Sequence, residues 1–61
     1  MSSTFVATVE TYWIAHDGVE VKAHGVIEPG QQVSTGQPYL ETFTSPRAYN
    51  ARLVELGWTG D

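Results

Sequence analysis

Sixty-one residues make one domain at most, and a chain this short buries only about 60% of its unfolded surface, so disulfides, a metal or a partner usually reinforce such folds. The sequence has no cysteine, which excludes disulfides and thiolate metal sites and leaves partner contacts as the expected reinforcement. A formal charge of −4, from three cationic against seven acidic residues, leaves too few cations for a phosphate-binding patch and disfavours direct nucleic-acid binding.

In chain order, residues 1–3 are expected to be loose. Thr4 to Ile14 is rich in β-branched and aromatic residues without glycine or proline, which predicts a strand. Phe5, Ala7 and Val9 share one parity, Tyr12 and Ile14 the other, so a bulge or strong bend is expected near Glu10-Thr11. Asp17-Gly18 between apolar runs predicts a two-residue type I′ hairpin. That register sets His16 opposite Val19, Ile14 opposite Val21 and Tyr12 opposite Ala23. It puts His16 and His24 on opposite faces, with Lys22 beside Trp13 as a cation–π neighbour.

Val26 to Glu28 continues the second strand, and Pro29-Gly30 predicts a type II turn. Gln31 to Val33 forms a short strand, Ser34 to Gln37 a turn, and Pro38 to Phe43 a last strand. Tyr39, Glu41 and Phe43 share a face there. Ser45-Pro46 is a helix start, with serine as cap and proline at the first helical position. The helix over Arg47 to Leu56 stops at Gly57 and carries Tyr49, Leu53 and Leu56 as an apolar stripe, with Val54 close by. Trp58 is an aromatic anchor before a flexible end at residues 59–61. The expected fold is mainly β: a small barrel-like or SH3-like antiparallel sheet over residues 1–44, followed by a helical arm, 45–61, that packs on the module or on a partner.

No chemistry is written into this pattern. His16 and His24 diverge in the predicted hairpin, and a metal site needs three or four convergent ligands. Glu10, Glu20, Glu28 and Glu41 are expected to be a solvated acidic surface, because so short a chain has little room for a catalytic pocket. Gly25, Gly30 and Gly36 open no helix, so they do not form a phosphate loop. No catalytic, metal-binding or cofactor-binding residue is assigned, and an enzyme is the least favoured class. No apolar run approaches the ~20 residues of a membrane span and nothing resembles a signal peptide, so a cytoplasmic product without membrane contact is expected. Aromatic residues and arginine are the usual interface anchors, which nominates Trp13, Tyr49, Arg52, Leu53, Leu56 and Trp58 for partner binding.

Two resemblances attach to the central segment. Glu28-Pro29-Gly30-Gln31-Gln32-Val33-Ser34-Thr35-Gly36-Gln37-Pro38-Tyr39-Leu40 looks like half of a biotinyl- or lipoyl-type carrier domain. The modified lysine of that family is missing, since Thr42-Phe43-Thr44 stands in its place. Over nearly the whole chain, "FVATVETYWIAHDGVEV" followed by "PGQQVSTGQPYL" is similar to small virion structural proteins of tailed phages of actinobacteria. That resemblance implies a minor capsid or head decoration-type protein, made in the bacterial host cytoplasm and placed on the capsid surface. Its partners would be the major capsid protein or copies of itself. The alternative of another class is a small acidic protein-binding module, such as a host-directed inhibitor or antitoxin-like protein.

Overall fold

The structure is a computed structural model that describes residues 3–58. The loose start at residues 1–2 and the flexible end at 59–61 lie outside the described residues; Ser3, read with that start, belongs to the first strand. Five strands and one helix follow in order: β1 (Ser3–Val6), β2 (Thr11–His16), β3 (Val21–Ile27), β4 (Gln32–Thr35), β5 (Tyr39–Phe43) and α1 (Pro46–Glu55). The fold is mainly β. Its strands form two antiparallel sheets, β1-β4 and β3-β2-β5, and the described residues do not close into a barrel.

The parity change near Glu10-Thr11 is where the chain passes from one sheet to the other. Residues 7–10 leave the β1-β4 ladder, with Ala7 still bonded through its N–H to Gln31 O and through its O to Gly30 N–H. The Thr11 hydroxyl then donates to Val9 O at 2.7 Å, which fixes the corner. The expected long strand is therefore two strands, divided where its apolar faces disagree.

The hairpin differs from its predicted register. Residues 17–20 form the loop, and the Asp17 carboxylate accepts the N–H groups of Val19 (2.8 Å) and Glu20 (2.9 Å). A type I′ turn needs positive φ at both central residues; here Gly18 has φ 91° and, among the described residues, no non-glycine residue is positive. His16 consequently pairs with Val21. A bulge at the same place, two β3 steps against one on β2, then sets Ala15 opposite Ala23 and Ile14 opposite His24. Lengthening the loop by two residues keeps the faces, but the bulge adds one more and reverses them. His24 thus joins Ile14, Tyr12 and His16 on one face, and Trp13 lies opposite Gly25 rather than Lys22. Lys22 pairs instead with Glu20 at 2.6 Å and Asp17 at 3.7 Å.

The Pro29-Gly30 turn has Gly30 at φ 88° and a Gln31 N–H to Glu28 O bond of 3.0 Å, the pattern of a type II turn. In α1, Ser45 accepts the Ala48 N–H and Pro46 fills the first turn. Gly57 at φ 84° ends it: Gly57 N–H reaches Val54 O and Trp58 N–H reaches Leu53 O, the paired bonds of a Schellman motif. The helix lies on its own sheet, over β2 and β5.

The Cα envelope measures 30 × 28 × 16 Å, deep enough for two layers and not for a third. Among the described residues the buried apolar ones are Ala7, Ile14, Ala15 and Leu53, and of the large side chains there only Ile14 is fully enclosed. So small a core leaves much of the cohesion to polar and aromatic contacts between helix and sheet.

Candidate functional site

Two regions stand out, a polar clamp under the helix and an open groove beside it. The clamp begins with register: β2 and β5 pair His16 with Tyr39, Ile14 with Glu41 and Tyr12 with Phe43, so these side chains share the face on which α1 lies. Glu41 faces Arg52 of α1, which donates Nε–H to Oε1 at 2.8 Å and Nη2–H to Oε2 at 2.9 Å. His16 Nε2 lies 2.6 Å from the same Oε2. The Gly18 N–H can only donate, and it donates to His16 Nδ1 at 3.1 Å; Nε2 therefore carries the ring proton and gives it to Glu41. His16 is 4% exposed and its ring stacks on Tyr39 at 5.1 Å.

These hydrogen bonds, first those from Arg52 and then that from His16, hold the Glu41 carboxyl below the usual carboxylate range despite its desolvation. Glu41 and Glu55 raise Arg52 in return, so this ion pair is charged at every physiological pH. Glu41 is therefore not part of the solvated acidic surface. Glu10, Glu20 and Glu28 are exposed, as expected. Neither His16 nitrogen is free to take a proton from a substrate, because one accepts a backbone N–H and the other donates to a carboxylate.

A second cluster sits farther along the helix. The Tyr49 hydroxyl and His24 Nδ1 are hydrogen-bonded at 2.7 Å, the Tyr12 and Tyr49 ring centroids are 5.1 Å apart, and Trp58 meets His24 edge-on at 4.7 Å. Burial, followed by the neighbouring Tyr12, raises the Tyr49 phenol above its ordinary range.

Of the six nominated anchors, five lie on or just after α1. Leu53 is buried, Tyr49 and Trp58 hold His24, Arg52 clamps Glu41, and half-buried Leu56 caps the helix through its N–H to Arg52 O. Trp13 lies on the other face of the sheet, its ring 3.3 Å from where a Gly25 side chain would begin. Val54, set near the apolar stripe by its spacing, is 72% exposed. The role of Glu41 was missed because a lone carboxylate in a strand resembles any surface glutamate. The available signal was its place between Tyr39 and Phe43 on one aromatic strand face, where a charge needs a partner.

The groove has a volume of about 430 Å³. Phe5, Val9, Phe43 and Ala48 supply its apolar surface, and Thr8, Thr11, Thr42, Thr44 and Ser45 supply hydroxyls. No lining residue is ionisable. Such a surface can hold apolar and backbone groups but offers neither an acid, a base nor a charged nucleophile. Among the described residues no three or more His, Cys, Asp or Glu side chains converge on a possible metal site, and no helix is long and apolar enough to cross a membrane.

No family model matches this chain, and no curated protein or solved structure matches it either.

Proposed function

We propose that this chain is a non-catalytic protein-binding module of a tailed-phage virion, a minor capsid or decoration-type protein that seats on the head shell. The observation that supports this most is a contrast between its charged and apolar groups. The histidines and the one buried-side carboxylate are engaged inside the fold, whereas Val6, Val9, Val19, Val26, Val54 and Tyr39 stand about half or more exposed. A small fold with so little core gains burial from a partner, and the uncharged groove next to Val9 is a surface on which that burial can occur. The phage setting rests on the sequence resemblance.

On a symmetric shell, many copies of a modest contact produce strong attachment. The acidic exterior suits a position facing solvent rather than packaged DNA. Quantitative mass spectrometry of purified virions tests the proposal. The chain should be present at a fixed ratio to the major capsid protein, and Val9→Asp should lower that ratio while leaving the free protein folded. Virions lacking the chain, with the chain recovered on a single host protein, would overturn the reading in favour of a host-directed binder.

A further inference from the structure

The geometry points to self-association of this chain through the outer edge of β3, paired antiparallel with β3 of a second copy so that Lys22 of each faces Glu28 of the other. This inference is independent of the proposed role on a shell. β3 is the longest strand and lies at the end of its sheet, hydrogen-bonded among the described residues to β2 alone. Its other side presents unpaired backbone groups, which template the addition of a further strand. Natural edges are commonly blocked by proline, charge or a bulge. Here the bulge and Lys22 precede the regular run at 23–27, and Pro29 follows it, so the run itself is unblocked. Ala23 and Val26 within it are exposed, as are Lys22 and Glu28 at its ends.

Symmetry and charge select the register. Two antiparallel copies related by a two-fold axis perpendicular to the sheet present the same sheet face on the same side, so one residue must lie opposite its own copy across the axis. Centred on His24, the pairing would set Glu20 against Glu28, which repel. Centred on Gly25, it sets Lys22 against Glu28 twice, Ala23 against Ile27 and His24 against Val26. The two-fold then lies between two copies of Gly25, which has no side chain, and Val21 meets Pro29 outside the ladder, where the missing N–H removes no bond. The other edges fit less well. Self-pairing of β5 about its middle residue would oppose two Glu41 carboxylates, and β1 and β4 have four residues each and no charged residue.

Lys22 now pairs with Glu20 and Asp17 of its own chain, but these contacts are solvent-exposed and readily exchanged. Within one chain Lys22 and Glu28 are six strand residues apart, roughly 20 Å, too far to interact. The single Lys22→Glu change also sets a carboxylate beside Glu20 and Asp17 of its own chain, so recovery in the double swap, which leaves that change in place, is what reads the contact between copies.

A five-residue edge is a small interface, so sedimentation velocity should show monomer and dimer exchanging between ~10 μM and ~1 mM protein at low salt. Lys22→Glu should weaken the dimer at least about tenfold, because both attractive pairs become repulsive. Combining Lys22→Glu with Glu28→Lys should restore it to within about threefold of the parent. Val26→Lys, at an exposed position inside the ladder, should prevent association while circular dichroism shows the β fold retained. A parent chain that stays monomeric at ~1 mM, a Lys22→Glu chain that dimerises like the parent, or a double swap as weak as the single change would each overturn the inference.

Discussion

Replacing Glu41 with glutamine should loosen the helix from the sheet out of proportion to the one atom exchanged. Three donors, His16 Nε2–H and the Nε–H and Nη2–H of Arg52, converge on the two carboxylate oxygens of Glu41. An amide offers one acceptor and one donor, so either orientation of the introduced side chain points its NH₂ group at an N–H. The Arg52 side is near the surface and is discounted for solvent screening. His16 is enclosed, so the amide turns its oxygen to the Oε2 position, where the His16 and Nη2–H bonds persist, and its NH₂ group opposes the Arg52 Nε–H with the carboxylate charge gone. A loss of about 1 kcal/mol is therefore expected, which in a domain of this size lowers Tm by roughly 4–8 °C. Thermal and urea unfolding followed by circular dichroism would measure it, with Glu10→Gln as an exposed carboxylate control. If Glu41→Gln unfolds within about 0.5 kcal/mol of the parent, the clamp does not hold helix to sheet.

The same clamp predicts an acid limb. The Glu41 carboxyl titrates below its unfolded range, so the stability it contributes is present above about pH 4.3 and is lost as pH falls through the lower folded value. Asp17 moves in the same direction because the N–H groups of Glu20 and Val19 favour its ionised form. Urea midpoints measured from pH 6 down to pH 2 should fall less steeply in Glu41→Gln; parallel curves would refute the coupling. At Gly25, a new Cβ would meet the Trp13 ring at 3.3 Å. Gly25→Val should displace the indole and cost about 1–3 kcal/mol. Its emission should shift to the red in a Trp58→Phe background, and an unmoved spectrum would count against the Trp13–Gly25 contact. Gly57→Ala should cost about 1–2 kcal/mol, because residue 57 has φ 84° at the helix end. Gly36, without positive φ and with open space around it, should accept alanine at no cost; equal effects at the two glycines would refute the assigned cap.

The local signals in this sequence were sufficient where one residue type answers one backbone need. Ser45-Pro46, Gly57 and Pro29-Gly30 are of this kind, and each sits where its chemistry places it. The division of the first long strand was also legible, because the parity of Phe5, Ala7 and Val9 conflicts with that of Tyr12 and Ile14. The hairpin register was not. Asp17 can sit in a two-residue turn or accept backbone N–H groups across a longer loop, and the composition of the segment is the same in both cases. One bulged residue then moved His24 to the face of His16 and removed Lys22 from Trp13. The Glu41 clamp depends instead on the pairing of β2 with β5 and on where α1 docks, and the spacing of Tyr39, Glu41 and Phe43 marks a shared face without naming the partner of the carboxylate.

The small core bears on how this chain can act. Ile14 and Leu53 each contribute about 1.5–3 kcal/mol by burial, and the two buried alanines add less. Neither sheet is wide, and the helix is too short to persist without docking. The contacts of Glu41, His16 and Arg52, and of His24, Tyr49 and Trp58, therefore hold α1 to the sheet in place of a larger apolar layer. Such contacts need fixed geometry, which makes the helix-bearing face a poor place for a moving active site. The exposed valines and open strand edges are under no such constraint. A partner covering them adds burial that the monomer lacks, so association and folding stability rise together with concentration. Under the proposed binding role, a partner would therefore both occupy that surface and add to the stability of the chain.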